Sequence, residues 1–150
     1  LLGRIKNEMD ARYRPDWPAI IIIGTGANDT RYVEGQDPNV SLDEYKKNLL
    51  EIVKIAKTYT EKILFVGVAV VENEIQEFKG TLLSNELLRV HYKIMANVAS
   101  ECGIPIINVN SELEKSTESV YFKDGVHLND IGHGIVAGLV LKELGYFLDS

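Results

Sequence analysis

The sequence predicts an α/β domain built on a parallel sheet, and three observations lead to this prediction. Short β-branched apolar runs alternate with amphipathic helical stretches along the chain. The connections between runs are long enough to hold a helix, as right-handed parallel crossovers require. The chain has 150 residues, of which 45% are hydrophobic and 25% are charged, so a single domain over residues 1–150 with one core is the natural organisation.

The first two elements are a helix and a strand. Apolar residues recur at helical spacing from the start of the chain, with no capping residue before them: Leu2, Ile5, Met9 and Tyr13. The continuous run Ala19–Ile23 predicts a strand that is buried on both faces. Because the chain begins at Leu1, without Met and inside a helical pattern, we interpret it as a fragment of a longer protein.

The middle of the chain holds a helix, a strand and a long loop. Ser41–Glu44 has the form of a capping box and opens a helix. Its apolar stripe consists of Leu42, Tyr45, Leu49, Ile52 and Ala56. Ile63–Val71 is a second β-rich run. Residues 72–83 then read as a loop that is long for a compact α/β connection, and such loops often cover sites.

Three further elements complete the prediction. Ser84 caps a helix that ends at Gly103, and Ile104–Val109 forms a third short strand. Residues 111–123 form a loop or a short helical turn. A last helix carries an apolar face and stops at Gly145; the face consists of Ile131, Ile135, Val136, Leu139 and Val140.

Composition excludes several classes of function. The net charge is −6 and the sequence has no block of Lys and Arg, so no nucleic-acid partner is expected. The single Cys102 rules out an internal disulfide and a cysteine-rich zinc site, which weakly favours a cytoplasmic location. No apolar run reaches the length of a membrane span, and no signal peptide opens the chain.

The first candidate site follows the first strand, where ligands bind in parallel sheets. Its residues, Gly24–Asp29, complete neither phosphate-binding glycine motif, so no nucleotide or other cofactor is expected. Gly26 would let the backbone approach a ligand, while the Asn28 amide would donate to one. A plain turn explains the same residues equally well.

The second candidate site is DGVHLNDIGHG, residues 124–134. Asp124 precedes His127 by three positions and could orient its imidazole, as the acid of a catalytic triad orients the base. As an alternative, Asp124 is only a loop residue, with Asn129 capping the last helix. The histidine spacing does not match HExxH and no cysteines accompany it, so no metal is expected. His133 is better explained by packing or by a backbone hydrogen bond, and His91 as a hydrogen-bonded histidine in the core or at its boundary.

Together, Gly26–Asp29 and Asp124–His127 resemble the GxND and DxxH blocks of the SGNH (GDSL) hydrolases. The segment Leu83–Leu87 is also similar to one common in that family, and the order of helices and strands agrees. The resemblance implies a three-layer, flavodoxin-like αβα fold. It also implies a serine hydrolase of small carboxylic esters or thioesters, with Asp124 and His127 as acid and base and with Asn28, beside Gly26, at the oxyanion.

One block of that family is missing from the sequence. The family's nucleophilic serine lies in a GDS block after its first strand, and none of the chain's serines has that context: Ser41, Ser84, Ser100, Ser111, Ser116, Ser119 and Ser150. We therefore expect about fifty residues with two strands to precede Leu1 in the longer protein, and this chain alone to be inactive. The alternative is a degenerate relative that binds a ligand or regulates.

The missing strands have a further consequence. Without its neighbour, the Ile20–Ile23 strand would be a bare apolar edge, which invites self-association.

Overall fold

A computed structural model describes residues 1–148 of the chain. The helices are α1 (Leu2–Arg12), α2 (Leu42–Lys57), α3 (Asn85–Cys102), α4 (Asn110–Leu113) and α5 (Asp130–Leu148), and the strands are β1 (Ile21–Gly24), β2 (Ile63–Val66), β3 (Ile75–Phe78), β4 (Thr81–Ser84) and β5 (Ile106–Ile107). The first, second and fifth strands form a parallel sheet in the order β1-β2-β5, while β3 and β4 form a separate antiparallel pair.

Helices cover both faces of the parallel sheet, which confirms the predicted α/β architecture in three layers. Successive residues of β2 belong to different cores, because successive side chains of a strand point to opposite faces of the sheet. Ile63 and Phe65 are buried in a core shared with α1, α2 and α3. Leu64 belongs to a second core, against which α5 packs. The carboxyl ends of the parallel strands therefore meet at one edge, between the two helical layers.

The strand β1 differs from its prediction in one respect, because only one of its faces is buried. Ile23 is 3% exposed and lies in the core under α1 and α2, whereas Ile22 is 45% exposed. The strand residues in the core beneath α5 belong to β2 and β5, and this core contains no residue of β1. β1 is also an edge strand within the described chain. Self-association through this edge stays a prediction.

Two predicted strands are shorter than the apolar runs that suggested them. β2 ends at Val66, and the backbone of the following segment bonds to side chains instead of a strand: Val70 N–H donates to Asn110 Oδ1 (2.9 Å) and Val71 N–H to Asn85 Oδ1 (2.8 Å). β5 is limited to Ile106–Ile107 because Ile104 N–H is bonded to the end of α3 and Val109 already caps α4.

The predicted loop over residues 72–83 contains the hairpin β3–β4, so the prediction of an unstructured connection is wrong. Lys79 (φ 52°) and Gly80 (φ 74°) form its two-residue turn. Positive φ at both central residues matches the right-handed twist of a tight hairpin. The Asn-Gly and Asp-Gly pairs that usually mark such turns are absent here. Because Lys occupies the first turn position, the sequence pattern did not predict the turn.

The last helix also exceeds its prediction, because α5 continues through Gly145 to Leu148. Ile135, Val136, Leu139 and Val140 pack against the second core as predicted, but Ile131 is exposed. Within residues 1–148, α5 is the helix whose length and composition would allow it to cross a membrane. One such helix is weak support for a span, since core helices pass the same test. The absence of a membrane span stays a prediction.

Candidate functional site

The turn after β1 carries the first predicted site. Thr30 is buried, and its hydroxyl donates to the carbonyl of Ala27 (2.8 Å), which closes the turn. Asn39 Nδ2 donates to the backbone oxygen of Asn28 (3.1 Å). Within the described residues, the side-chain amide of Asn28 is exposed and forms no hydrogen bond. That amide is therefore available to donate to a ligand.

Gly26 is required at its position for two reasons. Its φ of +126° lies in a region that favours glycine, and a Cβ there would approach both the Tyr45 hydroxyl and Val68 Cγ2 to 2.7 Å. Tyr45 also donates from its hydroxyl to the carbonyl of Thr25 (3.2 Å). The turn that presents Asn28 is thus seated directly on side chains of α2 and of the segment after β2.

The loop before α5 brings the second predicted pair together. His127 Nδ1 lies 2.7 Å from Asp124 Oδ2, while Asp124 Oδ1 accepts from the backbone N–H groups of Val126 and His127, both at 2.9 Å. Gly125 has a positive φ of 65° that lets the chain turn between the two side chains. The imidazole is 57% exposed. Its Nε2 is consequently the nitrogen left for a reacting group.

The charge of Asp124 settles which nitrogen of His127 carries the proton. The hydrogen bond from the His127 side chain, followed by the two backbone donors, lowers the pKa of Asp124 from 3.8 to about 2. The carboxylate is therefore ionised near neutral pH and accepts hydrogen bonds only. Nδ1–H must donate to it, so the neutral imidazole keeps its lone pair on Nε2, the form that a general base requires.

Two asparagines that the sequence analysis missed hold the segment between the motif loops. Asn85 Nδ2 donates to the carbonyls of Val71 (3.0 Å) and Asn73 (3.1 Å), and Asn110 Nδ2 donates to the carbonyl of Val68 (2.9 Å). Asn85 is only 3% exposed. The segment Leu83–Leu87 around Asn85 was noted only for its resemblance, and no local pattern signals these bonds, because the carbonyls lie 12 and 14 residues away.

A cavity of about 490 Å³ opens between these segments. Gly26 and Asn28 lie in its wall, and so does Val126, the residue before His127. The rest of the lining mixes apolar side chains with polar backbone and with the charged residues Arg4 and Asp29; it comprises Leu1, Arg4, Gly24, Thr25, Ala27, Asp29, Val66, Gly67, Val68, Ala69, Val71, Leu83 and Leu88. Its size suits a small organic ligand.

The other histidines lie outside this arrangement. His91 is fully buried, as predicted: Nδ1 contacts the carbonyl of Leu87 (2.9 Å), and its ring lies 4.6 Å from that of Tyr45 at an angle of 45°. Its Nε2 has no hydrogen-bond partner among residues 1–148, so the prediction that both ring nitrogens are satisfied is wrong. Burial lowers the pKa of His91. His133 is exposed, so it does not pack in the core, but its backbone N–H donates to the carbonyl of Asn129 (2.8 Å), the other predicted explanation. Asn129 caps α5 as predicted, accepting from the N–H groups of Ile131 and Gly132 at 2.9 and 3.1 Å.

The metal prediction can be compared with one structural observation. Among residues 1–148, no three or more His, Cys, Asp or Glu side chains are grouped so that they could hold a metal ion.

Comparison with known proteins places the chain in a family of lipases and acylhydrolases. Residues 1–135 match the family described as GDSL-like Lipase/Acylhydrolase. The chain is similar to GDSL esterase/lipase CPRD49 of Arabidopsis thaliana, with 27% identity over 83% of this chain and 54% of that protein. It is also similar to the isoamyl acetate-hydrolyzing esterase of Saccharomyces cerevisiae, with 24% identity over 81% of this chain and 55% of that protein.

A solved structure shows the same fold. A catalytic mutant of the acetylxylan esterase Axe2 of Geobacillus stearothermophilus superimposes with a TM-score of 0.69 at 20% identity, covering 97% of this chain and 66% of that one. Its solved catalytic mutants replace a serine, an aspartate and a histidine three positions after the aspartate. The present chain spans about half the length of the curated relatives and about two thirds of Axe2.

Proposed function

Since this chain belongs to the GDSL-like lipase/acylhydrolase family, we propose that it carries the acid, the general base and one oxyanion donor of a serine hydrolase that cleaves small carboxylic esters or thioesters. One observation carries the proposal: His127 Nδ1 is held 2.7 Å from the ionised Asp124, with Nε2 left open. An isolated loop aspartate would have no need to orient an exposed imidazole in this way.

Each residue has a role in the proposed reaction. His127 takes the proton of the attacking serine through Nε2, and Asp124 stabilises the imidazolium that forms. The exposed amide of Asn28 donates to the oxygen on which negative charge develops, beside the backbone of Gly26. His127 then returns the proton to the leaving group, and water repeats the cycle on the acyl-enzyme. The cavity of about 490 Å³ receives a small acyl or alcohol group.

The nucleophile is proposed to lie outside these 150 residues. Ser41 and Ser84 accept hydrogen bonds from the backbone as helix caps, at 3.3 and 3.2 Å. Other hydroxyls donate to nearby carbonyls: Ser111 to Asn108, Ser116 to Glu118 and Ser119 to Tyr121. Within residues 1–148, none of the hydrogen bonds of His127 goes to a serine. Ser150 lies outside the described residues.

Site-directed variants of the full-length natural protein test these roles against a soluble ester such as p-nitrophenyl acetate. We expect His127→Ala to lower kcat by about six orders of magnitude, Asp124→Asn by about four, and Asn28→Ala by two to three, as such changes do in studied proteases. His133→Ala is the matched control, because this exposed histidine should not contribute. Full activity in His127→Ala would refute the role of His127.

A fluorophosphonate probe tests the position of the nucleophile. We expect peptide mass spectrometry to find the label on a serine outside the present sequence, and no label on this chain alone. A single labelled serine within residues 1–150 would show that the chain contains its own nucleophile. Ligand binding by the full-length protein without any hydrolysis would favour a degenerate binding relative instead.

A further inference from the structure

We propose that Phe78, at the end of β3, is a positioning residue that holds the His127 imidazole in its productive orientation. The inference rests on the proposed function. The two rings lie 5.1 Å apart, centroid to centroid, with an angle of 71° between their planes. This edge-to-face arrangement is attractive and directional. No motif of the sequence points to Phe78, because it lies within the segment that reads as a loop.

One hydrogen bond alone does not fix an exposed imidazole. Asp124 restrains His127 through Nδ1, but the side chain is 57% exposed and has no other hydrogen bond from its ring in the described residues. If χ1 of His127 changed to another staggered position, the Asp124 carboxylate could move with the ring or lose its hydrogen bond to it. A contact on a second side of the ring excludes the other χ1 positions, and the Phe78 ring provides that contact.

Phe78 can restrain the imidazole because contacts on its own ring fix its position. Arg31 Cζ lies 4.8 Å from the centroid of its ring, in cation–π contact, and Lys79 Nζ lies 5.1 Å from it. Phe78 also packs against an apolar cluster that includes Leu83 and Leu88. A ring held by two cationic contacts and by an apolar cluster has little freedom to turn away from His127.

The hairpin that carries Phe78 is attached to both motif loops. On one side, Tyr32 pairs with Leu82 of β4 through two backbone hydrogen bonds of 3.2 and 2.8 Å. On the other side, Glu72 N–H donates to the carbonyl of Gly125 (2.8 Å), and a Cβ on Gly125 would lie only 2.7 Å from Gln76 Oε1. The hairpin thus joins the loop of Asn28 to the loop of His127.

Histidine rotamer measurements by NMR test the proposal without requiring turnover. Three-bond couplings from Cγ of His127 to its backbone nitrogen and carbonyl carbon report the χ1 population, and the signal is assigned by its loss in His127→Gln. We expect a single rotamer in the natural protein and averaged couplings in Phe78→Leu, which keeps the apolar packing. Phe78→Tyr, which keeps the ring, should restore the single rotamer.

The matched control is Ile75→Ala on the same hairpin, because Ile75 is 61% exposed and belongs to none of the apolar clusters. Its couplings should equal those of the natural protein. If Phe78→Leu does not fold, Phe78→Met provides a second variant that fills the space flexibly. Unchanged couplings in a folded Phe78 variant would overturn the proposal, since Asp124 would then hold the ring alone.

Kinetics of the full-length protein provide a second readout. If the ring samples three staggered positions of which one is productive, kcat should fall about threefold in Phe78→Leu with KM unchanged. A rise in KM alone would indicate a substrate contact and would contradict a positioning role. Failure of the proposed function is recognised separately, because His127→Ala would then leave hydrolysis intact whatever the couplings show.

Discussion

The turn after β1 and the loop before α5 both belong to the candidate site, but different interactions hold them. Gly26 is buried between Tyr45 and Val68, so the turn that presents Asn28 depends on the core beneath it. Asp124 and His127 are partly exposed and are joined by hydrogen bonds within four residues. The comparison shows that the Asp124–His127 pair is held by local contacts, while the turn of Asn28 is placed by residues far away in the chain.

The strongest test of this contrast is Gly26→Ala. A side chain at φ +126° is strained, and its Cβ would lie 2.7 Å from two heavy atoms. We expect the free energy of unfolding to fall by about 2–5 kcal/mol, combining the usual costs of left-handed backbone and of overpacking. Urea denaturation measures this loss.

Gly35→Ala is the control for backbone strain, because Gly35 has φ +78° but open space around it. It should cost only the backbone part, about 1–2 kcal/mol. Equal losses in the two variants would show that the core does not constrain the turn at Gly26.

The second test uses the pH dependence of stability in the core beneath the Asn28 turn. Burial holds the pKa of His91 below its ordinary value of 6.5, so the native state resists a proton that the unfolded chain accepts. Stability is therefore complete above that ordinary value and declines as the pH falls below it. Urea denaturation at a series of pH values between 7 and 5 should show this decline.

His91→Gln removes the titrating ring while keeping an amide that can bond to the carbonyl of Leu87. Its stability should change less over the same pH range. Asp29 remains in both proteins and interacts with His91, so the difference between the two curves reports the titration of His91 together with its coupling to Asp29. Parallel curves would mean that burial of His91 does not affect its protonation.

The third and smallest effect concerns the loop before α5. Because the pKa of Asp124 is lowered from 3.8 to about 2, its hydrogen bonds contribute stability that is complete above the ordinary value and is lost progressively as the pH falls from 3.8 through about 2. Carbon-13 NMR of the carboxyl group follows this titration directly. His127→Ala should raise the midpoint towards 3.8, because the His127 side chain is the largest cause of the shift.

The midpoint in His127→Ala should nevertheless stay below 3.8, since the backbone N–H groups of residues 126 and 127 remain as donors. His133→Ala, six residues further along the chain, should leave it at about 2. A midpoint that does not move in His127→Ala would mean that the backbone donors alone hold Asp124. The orienting role of the pair would then lose its support.

Local chemistry explains which features could be predicted from the sequence. The caps at Ser41, Ser84 and Asn129 were identified because a side chain and the N–H group it accepts from lie within three residues. The Asp124–His127 pair was recognised for the same reason. The alternation of apolar runs and helices identified the α/β class, because burial on a sheet imposes that pattern.

Features that depend on residues far apart in the chain could not be predicted. Asn85 bonds to a residue 14 positions earlier in the chain, and Asn110 to one 42 positions earlier. Both partners lie in the segment after β2, and these bonds make β2 shorter than predicted. The Lys79–Gly80 turn reads as an ordinary charged loop, so the hairpin and Phe78 were not found. The exposure of Ile22 follows from where α5 packs on the sheet, which no local pattern encodes.

The sequence by itself therefore determined the class of fold, the helix caps and the Asp124–His127 pair, because each depends on neighbours within one turn or on a regular apolar period. Only the tertiary structure decided that the Asn28 turn, the cavity and the hairpin lie together with that pair. These segments come from separate βα connections, and they meet because the strands preceding them run parallel and end at one edge of the sheet.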